Sequence, residues 1–174
     1  MKTKLLFISI LSVILSIISI ADGKIKSISD PEVDVTIKAS MVGSFHATTN
    51  KLLVSETDDN YLISVDLDTL KSGIELRDSH MKKDLDVEHF PKATLEVAKK
   101  NVVNKTATIT GKLSIRGETH PIDFTYTKSG IKQDMIESTM ILNITHWGVP
   151  TRKYLGVGVK EVVIININFT VINE

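Results

Sequence analysis

The sequence predicts an all-β domain of about eight antiparallel strands, rolled into a barrel or stacked as a sandwich, with one short helix crossing between strands. Three observations predict it. Apolar and polar residues alternate with a period of two over most of the chain after residue 30, the signature of half-buried strands. Turn-forming clusters of Gly, Asn, Asp and Ser separate these runs at a spacing of roughly 10–15 residues, as in sandwiches and barrels. Only between residues 72 and 91 does the period change: Ile74, Met81 and Leu85 lie seven and then four apart, one face of a short helix.

The first residues form a different polymer from the rest. Lys2 and Lys4 precede an apolar run, residues 5–20, dotted with Ser9, Ser12, Ser16 and Ser19. The run is shorter than the roughly 20 residues that cross a bilayer as a helix. Ser19 and Ala21 occupy the small-residue positions of a cleavage site, so residues 1–21 read as a secretory signal and 22–174 as the mature domain. Removing that leader takes two lysines, and the 21 basic groups become 19 against 21 acidic ones, a net charge of −2. A near-neutral chain without a basic stripe argues against a nucleic-acid partner. The chain has no cysteine, which excludes disulfides, a thiolate nucleophile, a cysteine metal site and a lipid-modified N-terminal cysteine. Core burial must hold the domain together, and a domain of about 150 residues buries enough surface to do so.

Residues 27–32 read as a polar lead-in. Val33, Val35 and Ile37 alternate with Asp34, Thr36 and Lys38 as strand one. Gly43 permits a turn, and Phe45, Ala47 and Thr49 begin a second strand that runs on through Leu52 and Val54. Residues 57–60 turn into a third strand, 61–67. The crossover follows, with Asp78 and Lys82 spaced for a helical ion pair. It ends at Phe90 because Pro91 forces the preceding residue out of helical geometry. Strand four spans 93–99 and strand five 106–115, with Ile109, Gly111, Leu113 and Ile115 on one face. Residues 117–121 turn into strand six, where Ile122, Phe124 and Tyr126 share a face. Ser129 and Gly130 mark the next hairpin, and strand seven spans 131–144. A loop containing Trp147, Tyr154 and three glycines then serves as a lid or a plug before the final strand. There Val163, Ile165, Ile167, Phe169 and Val171 make an unbroken apolar face.

Two blocks carry a family resemblance. The run Ser72-Gly73-Ile74-Glu75-Leu76-Arg77-Asp78-Ser79-His80-Met81, followed by Val87, His89-Phe90-Pro91 and Ala93-Thr94-Leu95, resembles the central signature of the YceI-like family. Gly111-Lys112-Leu113-Ser114-Ile115-Arg116-Gly117-Glu118-Thr119-His120-Pro121-Ile122 is similar to that family's hairpin. The resemblance implies an antiparallel eight-stranded barrel shaped like a lipocalin, in a family of secreted bacterial proteins, several of which bind polyisoprenoid-type lipids. The family's opening strand, with its Asp-x-x-His-Ser pattern, is missing here; only residues 33–38 and Phe45-His46 fit. The expectation is therefore a variant with a shortened N-terminal strand region.

Catalytic signals are absent: there is no G-x-S-x-G elbow, and the carboxylates sit where solvated charges belong. None of His46, His80, His89, His120 and His146 shows a tight metal-ligand spacing, so no metal and no cofactor is expected. A zinc site from His46, His80 and His89 is the alternative. Arg77 and Asp78, on the family's Arg-Asp motif, either grip a ligand head group or fix the crossover, with the second preferred; Arg116 is read likewise as a cation on an outer face.

The expected site is apolar. Phe45, Leu113, Ile115, Phe124, Tyr126, Met140, Leu142, Ile165, Ile167 and Phe169 lie on faces that alternation turns inward, and Trp147 lies in the loop over one end. Met140 and Tyr126 suit an irregular apolar guest, one by plasticity and the other by a single hydrogen bond. The expected function is a secreted or periplasmic protein that carries an isoprenoid or fatty-acyl lipid without covalent chemistry; a homodimer stays open. The alternatives are a ligand-free envelope-stress or interaction protein and, less favoured, a hydrolase or isomerase with His46 or His80 as base.

Overall fold

A computed structural model of the chain describes residues 25–41, 43–103, 105–130, 133–154 and 157–173. The expected leader, 1–21, lies outside them, as do Ile131 at the start of strand seven, Asn104, and Leu155 and Gly156 of the final loop. Strands β1 (Ile25–Ala39), β2 (Gly43–Thr49), β3 (Leu52–Glu56) and β4 (Asn60–Asp66) precede helix α1 (Glu75–Leu85). Then come β5 (Lys92–Ala98), β6 (Ala107–Ile115), β7 (Glu118–Ser129), β8 (Asp134–Asn143), the two-residue β9 (Lys153–Tyr154) and β10 (Val157–Asn173). Nine of the strands form one antiparallel sheet in the order β2-β1-β10-β8-β7-β6-β5-β4-β3, and β9 pairs β10 off this path. The sheet curls into a nearly closed barrel, the all-β architecture the sequence predicts.

The extra strand comes from the second segment, which is not continuous. β2 pairs with β1 (Ala47 opposite Val35), whereas β3 pairs with β4 (Val54 opposite Ile63). The chain corners at Asn50 and Lys51, so its two halves become the two edges of the sheet. Exposed edges invite pairing with other chains, and both are covered. Beside β2, the Thr48 and Lys71 backbones exchange hydrogen bonds at 2.8 and 3.0 Å. Thr69 Oγ1 donates to the Asp66 carbonyl at 2.7 Å, so Thr49 Oγ1 donates to Thr69 at 2.6 Å. At the other end of the seam the Ile25 N–H donates to Glu56 Oε1 at 2.8 Å, and Lys99 Nζ pairs with Glu56 Oε2 at 2.6 Å.

β1 corrects the expected N-terminus. Residues 27–32 are strand, not a polar lead-in, and β1 runs 15 residues against β10. Register shifts between Ile25 and Ser27 and between Ser29 and Glu32, with Asp30 at φ 51°, break the alternation that marks a strand in sequence. The hairpin after β6 is also tighter than expected. Ile115 opposes Glu118, so Arg116 (φ 51°) and Gly117 (φ 79°) alone make the turn, both in the left-handed region that two-residue hairpins require. A β-carbon on Gly117 would lie 2.7 Å from the Phe90 ring, which packs over it.

The bore is divided lengthwise. Phe124, Tyr126, Phe169, Val97 and Val171 are buried toward the end where β6 begins and β10 finishes. Tyr126 is fully engaged: its hydroxyl donates to the Val103 carbonyl at 2.7 Å and accepts from the Val103 N–H. Gly111 faces inward above this floor, where a β-carbon would stand 2.9 Å from the Leu95 side chain and the Glu96 carbonyl and 3.1 Å from the Phe124 ring. Gly111→Ala therefore overpacks the floor. The expected loss is about 1–3 kcal/mol of stability, measured by chemical denaturation, with no change in secondary-structure content.

Candidate functional site

Above the floor the bore is open. A cavity of about 500 Å³ extends from Leu95, Leu113 and Ile167 up to α1, which spans the mouth. Its wall is aliphatic because the inward positions of this half carry short branched side chains. Val33, Val35 and Ile37 come from β1, Ile63 and Val65 from β4, Leu113 and Ile115 from β6, Met140 and Leu142 from β8, and Val163, Ile165 and Ile167 from β10. Phe45 is the one aromatic among the lining residues.

Seven of the residues expected from sequence meet here: Phe45, Leu113, Ile115, Met140, Leu142, Ile165 and Ile167. Four do not line the cavity. Phe124, Tyr126 and Phe169 belong to the floor, and the Tyr126 hydroxyl is spent on Val103 rather than aimed at a guest. Trp147, 2% exposed, packs edge-on to His120 with ring centroids 5.3 Å apart, and its indole N–H donates to the Leu113 carbonyl at 3.0 Å. It plugs the mouth end of β7, where the β7–β8 ladder has already stopped at Thr125 opposite Thr139. Arg116 reinforces that plug by donating to the Gly148 carbonyl.

α1 supplies the lining that alternation could not reveal. Leu76, Arg77, His80, Met81, Asp84 and Leu85 face the cavity, with Ile74 just before the helix. Arg77, His80 and Asp84 are the lining's three ionisable residues, and all sit on this one element at helical spacing. The Arg77 guanidinium stacks over the Phe45 ring, with Cζ 4.1 Å from the centroid. Asp84 Oδ1 lies 2.7 Å from Arg152 Nε, in an ion pair without the alignment of a hydrogen bond.

The helix is held by contacts around its rim. Asp78 is 7% exposed and does not pair with Lys82 as its spacing suggested. One carboxylate oxygen accepts from the Ser72 N–H at 2.7 Å and from Ser72 Oγ at 2.6 Å, while Lys82 Nζ reaches Asp68 Oδ1 at 2.7 Å. Burial pushes the Asp78 pKa up, but the Ser72 hydrogen bonds and nearby Lys71 and Lys82 outweigh it and hold the carboxyl below its ordinary range. Asp78 is thus the anchor of the helix's first turn, in keeping with the structural role preferred for it from sequence. At the other end Asp86 caps the helix at φ 52° and its carboxylate meets His89 Nδ1 at 2.7 Å, which raises the His89 pKa.

His120 and His146 flank Trp147, their ring centroids 6.5 Å apart. His46 pairs with Asp34 at 2.9 Å on the outer face of β1 and β2, His89 with Asp86, and His80 faces the cavity. Among the described residues no group of three or more His, Asp or Glu side chains could hold a metal, and no helix is long and apolar enough to cross a membrane.

Comparison with known proteins agrees with this architecture. A family profile for the YceI-like domain matches residues 22–171. No curated protein sequence matches. Among solved structures, a polyisoprenoid binding domain from Saccharophagus degradans implicated in plant cell wall breakdown aligns with TM-score 0.67 and 11% identity, covering 85% of this chain and 98% of that one. Burkholderia cenocepacia BcnA aligns with TM-score 0.67 and 18% identity over 80% of this chain and 95% of its own. The Campylobacter jejuni YCEI protein aligns with TM-score 0.54 and 16% identity over 100% of this chain and 91% of its own.

Two tests address the helix. Asp78→Ala leaves the Ser72 N–H and hydroxyl without their acceptor and is expected to cost about 1–3 kcal/mol, read as faster amide exchange across α1. The pH dependence has two parts. A depressed Asp78 pKa gives stabilisation that is complete above the unfolded value of about 3.9 and lost as pH falls through the lower folded value. A raised His89 pKa gives stabilisation that is complete below about 6.5 and lost as pH rises through the higher folded value. Amide exchange followed against pH should therefore show the C-terminal end of α1 loosening first on the alkaline side, while its first turn loosens only in strong acid.

Proposed function

The chain belongs to the YceI-like domain family, and from that premise we propose that it carries an isoprenoid or fatty-acyl lipid inside the barrel without covalent chemistry. The observation that supports this reading is the aliphatic cavity of about 500 Å³, a size typical of small-molecule sites. Each methylene moved from water into such a wall contributes about 0.8 kcal/mol. Association itself costs about 4–15 kcal/mol, so a dozen or more methylenes must be buried before binding becomes tight. A long single chain meets that requirement, and a small polar metabolite does not. The leader pattern at 1–21 supports export, so the protein acts in the periplasm or outside the cell, where an apolar chain needs protection from water.

Admission is at the mouth. Ile74 and Leu76, 50% and 67% exposed, stand on the rim beside the cavity, and α1 is fixed by polar contacts that can break and re-form without dismantling the sheet.

Protein purified from a bacterial envelope should release a lipid on organic extraction, seen by mass spectrometry in roughly stoichiometric amount. Ile165→Trp, which drives an indole into the cavity, is expected to weaken uptake of a fluorescent fatty-acid probe at least tenfold while leaving the β-sheet circular dichroism unchanged. A wild-type protein that is consistently empty and takes up no probe would count against the carrier reading. The intact mass of the exported protein should correspond to a chain beginning at Asp22.

A further inference from the structure

We propose that the rim of the barrel beside the β1–β2 turn docks on an anionic phospholipid surface. Met41, Ile74 and Leu76 enter the acyl region, while Lys38, Lys153 and Lys160 hold the phosphates. The inference goes beyond the carrier reading, because it rests on the outside of the rim and not on what the bore holds. Two independent observations carry it.

The first is where apolar side chains are exposed. Single exposed apolar residues are ordinary on a protein surface, but here three large ones share one rim. Met41 is 90% exposed in the turn that joins β1 to β2, and Ala39 and Phe45 on either side of that turn line the cavity. α1 reaches the same corner. The Arg77 guanidinium lies over the Phe45 ring, which brings Ile74 and Leu76, 50% and 67% exposed, to that side of the mouth. Nothing in the turn itself calls for methionine. Its φ of 72° lies in the left-handed region, where Gly, Asn and Asp fit and a long, bare side chain gains nothing from the fold. The tip is nonetheless fastened, since the Ser40 N–H donates to the Gly158 carbonyl and the Gly158 N–H to Ser40 Oγ, both at 2.8 Å. A fixed turn that presents a bare apolar side chain beside two more is suited to enter an apolar phase.

The second is charge. The chain as a whole has 21 basic and 21 acidic residues, but this flank is basic. Lys38 precedes the turn on β1, and Lys160 follows Val159, which opposes Ala39. Lys153 packs on Gly158, where its Cγ would lie 3.0 Å from an added β-carbon. All three lysines are exposed, and none has a carboxylate within ion-pairing distance among the described residues. Nearby acids are engaged, Asp84 with Arg152 at 2.7 Å and Glu161 Oε2 with Asn143 Nδ2 at 3.4 Å. Glu75, between Ile74 and Leu76, is exposed, and three bare lysines outweigh it. Long lysine stems let the ammonium groups rest at phosphates while an apolar tip lies deeper. Lysine is depleted at protein interfaces but is an ordinary partner of an anionic membrane surface, which favours a bilayer over a protein.

The test uses the chain from Asp22 onward, so that the apolar leader does not itself bind lipid. Flotation with phosphatidylethanolamine vesicles containing about one-third phosphatidylglycerol should carry the protein, and added salt should release it. Phosphatidylcholine vesicles should not carry it. Met41→Asp, which suits the left-handed backbone there, should weaken binding at least tenfold, and Lys38→Gln and Lys160→Gln roughly fivefold each. These three residues lie off the cavity, so uptake of a fluorescent fatty-acid probe from solution and the melting temperature should match the parent's. Because the chain has no cysteine, Met41→Cys and Met135→Cys each take a single environment-sensitive label. Vesicles should shift the emission of the first to the blue and leave the second, 49% exposed at the far end beside Thr170, unchanged. Binding that ignores Met41→Asp, equal binding to both kinds of vesicle, or a blue shift at Met135→Cys would overturn the inference, as would no vesicle binding at all. A dimer in sedimentation that Met41→Asp dissolves, without vesicle binding, would assign the rim to a second copy of the chain. Each of these outcomes leaves the carrier reading standing, since that reading is decided by probe uptake.

Discussion

The width of the bore is the constraint on which the rest of this structure depends. A closed sheet of eight or nine strands encloses a space that side chains can just fill, so the size of the inward residues decides whether the tube is a core or a container. This chain does both. At one end Phe124, Tyr126 and Phe169 are buried in the core cluster and form the floor. At the other, the inward positions of β1, β4, β6 and β10 are Val, Ile and Leu, whose side chains cover the wall without reaching its centre. The cavity follows from that gradient in side-chain length along the same strands. Gly111 marks the boundary, because the missing β-carbon lets Phe124 lie against Leu95 and seal the lower half.

Closure imposes a second demand. An open sheet edge beside a lipid-sized opening would be a site of aggregation, and here the two edges are halves of one cornered segment. β2 is covered by the chain entering the crossover, through the Thr48–Lys71 bridge and the Thr49–Thr69 hydroxyl pair. The crossover is returned to the barrel where the Leu67 N–H donates to the Pro91 carbonyl at 2.9 Å. So the segment that closes the seam also lays α1 over the mouth, and closing the wall and roofing the cavity are one piece of chain geometry.

How much of this was legible in the sequence varies with the range of the interaction. β10 and the pairing of β6 with β7 could be read directly, since alternation is local, but the turn between them is shorter than the 117–121 read from sequence. The inward-facing set was legible too, but not its division. Phe124 and Leu142 obey the same period of two, and only their positions along the tube make one floor and the other wall. β1 was under-read because bulges interrupt its period and its outward residues are polar. Asp78 misled for a related reason. Spacing offers Lys82 as its partner, while the fold brings Ser72 closer, from outside the helix. Arg77, His80 and Asp84 carry no sequence signal of facing a cavity, because charges on a short helix ordinarily face water.

That last point bears on how the roof works. A helix packed on a solid core is fixed by its apolar stripe, but α1 lies over a void, and of its inner face only Met81 and Leu85 pack against the core. Its stability must come from its margins, and it does: a buried carboxylate bonded to Ser72 at the first turn, lysine to aspartate along one side, arginine to aspartate on the other, and a left-handed cap at the end. The exposed ion pairs among these contacts exchange with water at little net cost, in contrast to the sheet ladders below. The same void explains why charged residues are tolerated on the inner face, since Arg77 and Asp84 sit at a mouth that solvent or a head group can reach. In the carrier reading proposed above, a lid held at its edges over a rigid, greasy tube separates two tasks: the barrel sets what fits, and the helix controls when the opening is passed.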